Sequence, residues 1–418
     1  MKVQDIFIVK TNQKIKNMKS ILTKNPDADE ELISAMGKKA PDRIHFRSVI
    51  SLHDEAVNKA ADRATAHAKR ALALCLGIHS GELDSSDINK CMSDVDEAIK
   101  INKNLLIVQI AEGCFYYYCK KDFSKAITRF DKAFQMYPES YEPLFYKAMV
   151  YKATVNWTDL PSLLLSIDKF DVRNPLHLTN LGLCYEYLYN YDKAIDYHQK
   201  AIDVNPLWEA AYLNKFRTLL LTGSLAEARN ILEKLIQTSN SDHLEYQIIL
   251  DMYEGKYPDA FKKAINASNY DFTFAGMRSL YLANISILMN KKADKYYGHA
   301  LKELNLELNA NPDNAEIHSL IGSALSGKGN KIAALEEGER AVDLATTENN
   351  KILEREMNIN LAEIYTKLGL FDEAIEIIKD ALNNHSLFST KILQHEPVWK
   401  PLLDIPEIKK IIKKDKTN

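Results

Sequence analysis

The side chains best suited to metal or redox chemistry are five cysteines and eleven histidines. Thiol-based metal sites and redox pairs usually show short repeated spacings, such as two cysteines separated by two residues. The histidines are scattered, and the cysteines are irregularly spaced, at Cys75, Cys91, Cys114, Cys119 and Cys184. We therefore predict buried, reduced thiols and neither a metal site nor a cofactor.

Other catalytic chemistry is equally unsupported by the sequence. The phosphate-binding P-loop, the serine elbow of α/β hydrolases and the paired histidines of zinc proteases each need a specific residue string, and none occurs. The abundant carboxylates are expected on solvated helix faces, as Glu336 would pair with Arg340. We predict that the protein is not an enzyme.

Charge and hydropathy limit which partners and which cellular location are expected. The net charge of −3 favours neither nucleic acid nor a membrane surface as partner. No stretch reaches 18 apolar residues, and the apolar run Ile6 to Val9 is too short for a secretory signal. We expect a cytoplasmic protein with no membrane insertion.

The elements that must position these side chains follow a regular period. Ala126, Leu160, Ala194 and Ala228 are each separated by 34 residues. The segment 175–208 shows the pattern best, with small residues where helix axes must approach closely and a proline after the second helix. Its matching positions are Leu178, Leu181, Gly182, Tyr185, Ala194, Ala201 and Pro206, while His198 occupies a position that is usually large and apolar.

This pattern resembles that of tetratricopeptide (TPR) repeats, which are two-helix hairpins. The resemblance implies an all-α fold, a right-handed α-α superhelix (TPR solenoid), preceded by an N-terminal helical region at 1–71. The predicted array covers 72–388. Its strong copies are 107–140, 175–208, 315–348 and 355–388, and its degenerate copies are 72–106, 141–174, 209–240, 241–274 and 275–314.

The C-terminal segment 389–418 is predicted to be a cap followed by a basic tail. The residues from His395 to Pro406 resemble the terminating segment of bacterial TPR arrays in cyclase-linked and related signalling proteins. That resemblance implies a bacterial signalling context. It also implies that Trp399, Leu402 and Ile408 cover the last repeat.

TPR arrays usually hold a protein or an extended peptide against the first helix of each hairpin, at unit positions 2, 5, 6, 9, 12 and 13. Asn180 and Asn214 both occupy position 6, where a side-chain amide can donate and accept at once, and Asn360 occupies it in a later unit. The predicted groove residues are Glu112, Phe115, Tyr118, Phe145, Tyr146, Met149, Asn180, Leu183, Tyr187, Asn214 and Arg217.

Two structural alternatives to this groove stay open. The asparagines can be ordinary solvated residues, and the aromatic cluster can pack against N-terminal helices instead of a ligand. The lysines and asparagines of the heat-shock-chaperone carboxylate clamp are absent, since its places hold residues such as Ala111 and Phe115. We therefore do not expect a chaperone tail as partner.

The string from Gly77 to Glu82 resembles one found in class III nucleotide cyclases, which are often fused to TPR arrays. Their chemistry needs metal-binding carboxylates on neighbouring strands, and no strand-rich segment surrounds this string. We interpret it as a turn between helices. Two functions are then predicted: a non-catalytic protein- or peptide-binding scaffold that uses the concave groove, or a partner-sensing signalling regulator in which the array controls the N-terminal region.

Overall fold

The computed structural model describes residues 49–51, 53–54, 56–57, 62–79, 83–84, 86–239, 241–347 and 350–415. The described residues form two compact units. The N-terminal unit comprises the described residues up to 184 together with 200–211, and the C-terminal unit comprises 185–199 together with the described residues from 212 onward. Most of the predicted N-terminal region lies outside the described residues.

Throughout the described residues the regular secondary structure is helical, without a strand, which confirms the all-α prediction. The helices up to residue 222 are α1 (Arg63–His79), α2 (Asp87–Asn102), α3 (Leu106–Cys114) continued by a π-helix (Phe115–Cys119), α4 (Phe123–Met136), α5 (Glu142–Ala153), α6 (Leu160–Ile167), α7 (Pro175–Tyr187), α8 (Tyr191–Val204) and α9 (Glu209–Thr222).

The later helices are α10 (Leu225–Thr238), α11 (Leu244–Tyr253), α12 (Tyr257–Asn266), a short 3-10 helix (Asn269–Asp271), α13 (Met277–Leu288), α14 (Asp294–Ala310), α15 (Ala315–Gly327), α16 (Lys331–Thr347), α17 (Lys351–Lys367), α18 (Phe371–Asn383), α19 (Thr390–His395), a second 3-10 helix (Pro397–Leu402) and α20 (Pro406–Asp415). Each predicted repeat from 107 onward thus contains two helices. The boundary predicted between 71 and 72 falls inside α1, whose alanine-rich helical pattern continues through it.

Local sequence signals set the turns of the hairpins. The Asn314 side chain accepts hydrogen bonds from the backbone N–H groups of Glu316 and Ile317, which caps the start of α15. After α15 the chain turns at Gly329, whose φ of 76° is a left-handed conformation that glycine adopts without strain. A cap before the first helix and a glycine after it therefore define the hairpin.

Small residues allow the paired helices to approach closely. A methyl group added at Gly113 would lie 2.3 Å from Phe130 Cε1, and one at Gly322 would lie 3.0 Å from the Ala334 carbonyl oxygen. The alanines that recur every 34 residues, such as Ala126, are fully buried. These small residues thus mark the places where paired helices approach most closely.

In the C-terminal unit the chain returns to its own earlier helices. His385 Nδ1 donates to the Tyr187 carbonyl at 2.7 Å, and its ring stacks on Tyr189 with centroids 5.2 Å apart. Ser389 Oγ donates to the Leu221 carbonyl at 2.7 Å. These contacts fix the segment between α18 and α19 against the ends of α7 and α9.

The predicted cap is a compact apolar cluster at the end of the C-terminal unit. Trp399, Leu402 and Ile408 are fully buried and pack with Ile378 of α18. Phe388 meets the Trp399 ring edge-on, with centroids 5.4 Å apart. The segment therefore covers the last hairpin through its apolar side chains.

Candidate binding site

The C-terminal unit contains a cavity of about 670 Å³ lined by the first helices of three consecutive hairpins, α13, α15 and α17. These helices contact one another, α13 with α15 and α15 with α17. The 3-10 helix Pro397–Leu402 and its flanks form another wall. The cavity is therefore on the inner face of the repeat array, as expected for a TPR binding surface.

The lining residues follow the inner-face positions of a TPR unit. Numbered from 315 and 355, positions 6, 9, 12 and 13 place eight residues on the wall: Leu320, Ser323, Ser326, Gly327, Asn360, Glu363, Thr366 and Lys367. In α13 the same spacing holds from residue 276. Positions 2, 5, 6, 9, 12 and 13 are then Met277, Leu280, Tyr281, Asn284, Ile287 and Leu288. The wall of this cavity thus follows the inner-face positions of the repeats, whereas the predicted groove residues come from earlier repeats.

One part of the cavity wall is apolar. Leu280 is buried at its base, whereas Ile287 has 53% of its surface exposed. Leu288 and Val398 are half-buried on the same wall. An exposed isoleucine within a concave surface is a place where an apolar ligand group can displace water.

The polar part of the wall combines two ammonium groups, Lys367 and Lys400, with three carboxylates, Glu363, Glu396 and Asp404. Lys367 Nζ donates to Ser323 Oγ at 2.7 Å, and burial lowers the pKa of Lys367. Trp399 Nε1 donates to Glu396 Oε2 at 3.1 Å. Burial, reinforced by the negative charge of Glu363, raises the pKa of Glu396 to about 7. A cation entering beside Glu396 would therefore favour its ionised form.

Eight of the predicted groove residues lie in the N-terminal unit, where aromatic packing involves several of them. Phe145 stacks on His177 with centroids 3.8 Å apart, while Tyr146 stacks on Phe130 at 5.7 Å. Tyr118 packs on the His79 ring at 4.7 Å. Of the eight, Glu112, Phe115, Tyr118, Phe145 and Met149 are buried. Neighbouring side chains thus cover much of this aromatic cluster, and its role in a ligand groove stays a prediction.

The more accessible members of that group are Tyr146, Asn180 and Leu183, which are half-buried. The Asn180 amide donates to the Leu176 carbonyl at 3.0 Å, and its oxygen accepts from Lys152 at 3.5 Å. Both ends of this amide are thus occupied by neighbours within the chain. An extended ligand would have to displace the Lys152 ammonium to reach the amide oxygen.

The other three predicted residues, Tyr187, Asn214 and Arg217, lie in the C-terminal unit and are all buried. Arg217 pairs with Glu186, with Nε and Nη2 at 2.9 and 2.6 Å from Oε2. His198 Nε2 donates to the other carboxylate oxygen at 3.0 Å. All three are therefore enclosed by the helical packing, where Arg217 neutralises the Glu186 carboxylate, and their place in a ligand groove stays a prediction.

A cluster of three cysteines in the N-terminal unit was not predicted from the sequence. Cys75 of α1, Cys91 of α2 and Cys119 at the end of the π-helix place their sulfur atoms within 4.8 Å of one another. Their spacing shows no motif. The available signals were Cys91 at the small-residue position of its unit and Cys119 at inner-face position 13.

The cyclase-like string is helical where the structure describes it. Gly77, Ile78 and His79 form the last turn of α1, and residues 80–82 lie outside the described part of the chain. Among the described helices, none is both long enough and apolar enough to cross a membrane.

These features define an α-helical repeat protein. Family models described as tetratricopeptide repeat match residues 178–207 and 356–384, within two of the strong copies. The chain therefore carries tetratricopeptide repeats, as its 34-residue period predicts, and such repeats form protein-interaction scaffolds.

Individual relatives are distant. The chain is 27% identical over 206 residues to BBSome complex member BBS4 of Bos taurus, covering 49% of this chain and 37% of that protein. Among solved structures, the APC/C hetero-tetramer Cut9-Hcn1 is similar at 14% identity, with a TM-score of 0.46 over 84% of this chain and 59% of that chain. A tetratricopeptide repeat protein from Parabacteroides merdae has 16% identity and a TM-score of 0.44 over 60% of this chain and 98% of its own.

Proposed function

We propose that the protein is a non-catalytic scaffold that binds an extended, basic segment of a partner protein in the cavity of the C-terminal unit. The observation that carries the proposal is the lining, which follows the inner-face positions of consecutive repeats. The resemblance to a bovine protein named as a complex member supports a role in assembly. Half-buried residues of the predicted groove in the N-terminal unit, such as Asn180, would form a second contact surface.

The chemistry of the wall favours a polypeptide carrying a positive charge. Asn360 presents an amide that can pair with a peptide backbone, which has one donor and one acceptor per residue. The Asn284 amide oxygen already accepts from Tyr297 Oη at 3.0 Å, so this side chain would offer its N–H groups. Glu363, Glu396 and Asp404 line the cavity together with Lys367 and Lys400, so carboxylates outnumber ammonium groups by three to two. A lysine or arginine side chain would pair with these carboxylates, while Ile287 would contact an adjacent apolar side chain.

The test is capture of the natural partner by matched isoleucine variants. Ile287 in the cavity and Ile332 on α16 are both exposed, at 53% and 74%. We expect Ile287→Glu to abolish capture from a lysate, as judged by quantitative mass spectrometry, and Ile332→Glu to retain it. Equal capture by both variants would refute the cavity as the binding surface.

The preference for a basic ligand is tested separately with displayed peptide libraries. Selection on the wild-type protein should enrich lysine and arginine, and the variant Glu363→Gln/Glu396→Gln should lose that enrichment. Enrichment of acidic peptides by the wild-type protein would contradict the assignment, because Lys367 would then dominate recognition.

Affinity for the selected basic peptide should depend on pH. Glu396, whose pKa is about 7, must be ionised to pair with a cation. Binding should therefore strengthen between pH 6 and pH 8 and release protons, which calorimetry in buffers of different ionisation enthalpy measures. The single variant Glu396→Gln should lose this pH dependence.

A further inference from the structure

Three thiols from separate elements converge inside the N-terminal unit. Cys75 Sγ lies 3.4 Å from Cys91 Sγ and 3.8 Å from Cys119 Sγ. All three sulfur atoms are within 4.8 Å of one another. These distances exceed the length of a disulfide bond, about 2.0 Å, so the thiols are reduced and adjacent.

The π-helix determines where the third thiol lies. It extends from Phe115 to Cys119, and the Lys120 N–H bonds to the Phe115 carbonyl at 3.1 Å, five residues back. Such wide turns are rare and occur often at functional sites. One residue more or less in an α-helix rotates the following side chains by about 100°, so the extra residue decides whether Cys119 faces Cys75.

We propose that Cys75, Cys91 and Cys119 bind one soft, thiophilic metal ion, and that Cu(I) is the ion they fit. A cation about 2.3 Å from each sulfur requires sulfur separations of about 4.0 Å in a trigonal plane and about 3.8 Å in a tetrahedron. In a trigonal plane the observed 3.4 and 3.8 Å would lengthen by about 0.6 and about 0.2 Å.

The number of ligands favours Cu(I) over Zn²⁺. In the described part of the chain, the candidate metal-binding cluster consists of three thiols. Structural zinc sites are almost always four-coordinate, whereas soft thiolate ligands also select Cu(I). Three sulfur ligands satisfy a three-coordinate monovalent ion without a further group.

The surroundings allow entry and balance of charge. Cys75 and Cys91 are fully buried, while Cys119 is half-buried and so opens the cluster toward solvent. Cys119 is thus the ligand through which the ion enters, and binding of the ion releases thiol protons.

The experiment is a Cu(I) titration of the full chain, kept reduced by a phosphine and competed with a chromogenic Cu(I) chelator. The variants are Cys75→Ser, Cys91→Ser and Cys119→Ser, and Cys184→Ser is the matched control because Cys184 is also buried but outside the cluster. We expect one ion per chain for the wild type and the control. Each cluster variant should lose affinity by at least about tenfold.

Two further measurements distinguish loss of metal binding from loss of the fold. Cu(I) should raise the melting temperature of the wild type and leave that of Cys119→Ser unchanged, a variant whose half-buried position tolerates the change. X-ray absorption should show sulfur scatterers alone around copper. Binding that survives Cys119→Ser, or that Cys184→Ser weakens equally, would overturn the site, and tighter binding of Zn²⁺ than of Cu(I) in parallel competition would overturn the choice of ion.

Discussion

Arg217 and Glu186 form a buried ion pair, and removing one partner should lower the free energy of unfolding by an amount that depends on its burial. Glu186 is fully buried and Arg217 is 2% exposed. Arg217→Met would leave the carboxylate with His198 and Thr218 as donors. Burial lowers the pKa of His198, so the ring is neutral at pH 7 and supplies no charge. Loss of one partner of a buried ion pair costs about 3–5 kcal/mol of unfolding free energy.

Two further variants separate the ion pair from general damage. Replacing both charges, as in Glu186→Gln/Arg217→Met, removes the uncompensated carboxylate and should recover most of the lost stability. The matched surface pair is Arg173 and Asp171, which are also 2.6 Å apart but 81% and 72% exposed. Arg173→Met should leave the urea midpoint unchanged, because solvent screens this pair.

The measurement is urea denaturation at pH 7 followed by circular dichroism. It should be repeated at lower pH, because the folded protein lowers the pKa of Glu186. The stability contributed by this ionised carboxylate is present above its unfolded pKa and is lost as the pH falls. The deficit of Arg217→Met should therefore shrink toward pH 4. A deficit no larger than that of Arg173→Met, or a double variant as unstable as Arg217→Met, would refute the reasoning.

Urea denaturation also tests substitutions at three further positions, Glu396, Gly113 and Trp399, with Gly298 as a control position. Glu396 has a folded pKa of about 7, above its unfolded value, so its stabilising effect disappears as the pH rises through 7. Glu396→Gln should flatten this pH dependence, worth up to about 3 kcal/mol. Gly113→Ala would clash with Phe130 and destabilise by about 1–3 kcal/mol, whereas Gly298→Ala meets open space and should not destabilise. Trp399→Ala, in a fully buried cluster, should cost about 3–5 kcal/mol.

The sequence predicts the repeats well because their signature residues act locally. Gly322, Ala334 and the turn at Gly329 specify a close hairpin from positions within one unit. The binding surface depends on what covers each inner-face position. Phe145 and Ser323 both occupy inner-face positions of their repeat units. Even so, the His177 ring covers Phe145, whereas Ser323 lines a cavity. That difference arises from tertiary packing, which the period of the sequence does not encode.

The departures from the repeat signature carry more information than the matches do. His198 replaces a large apolar residue, and it donates to the buried Glu186 carboxylate. Phe216 replaces a small residue, and its ring meets Tyr246 edge-on at 5.8 Å. Cys91 also replaces a small residue, and it lies beside Cys75. Each of these three residues contacts a specific neighbour. At a close-packed position, a residue that departs from the signature fits only where a neighbouring side chain compensates for it.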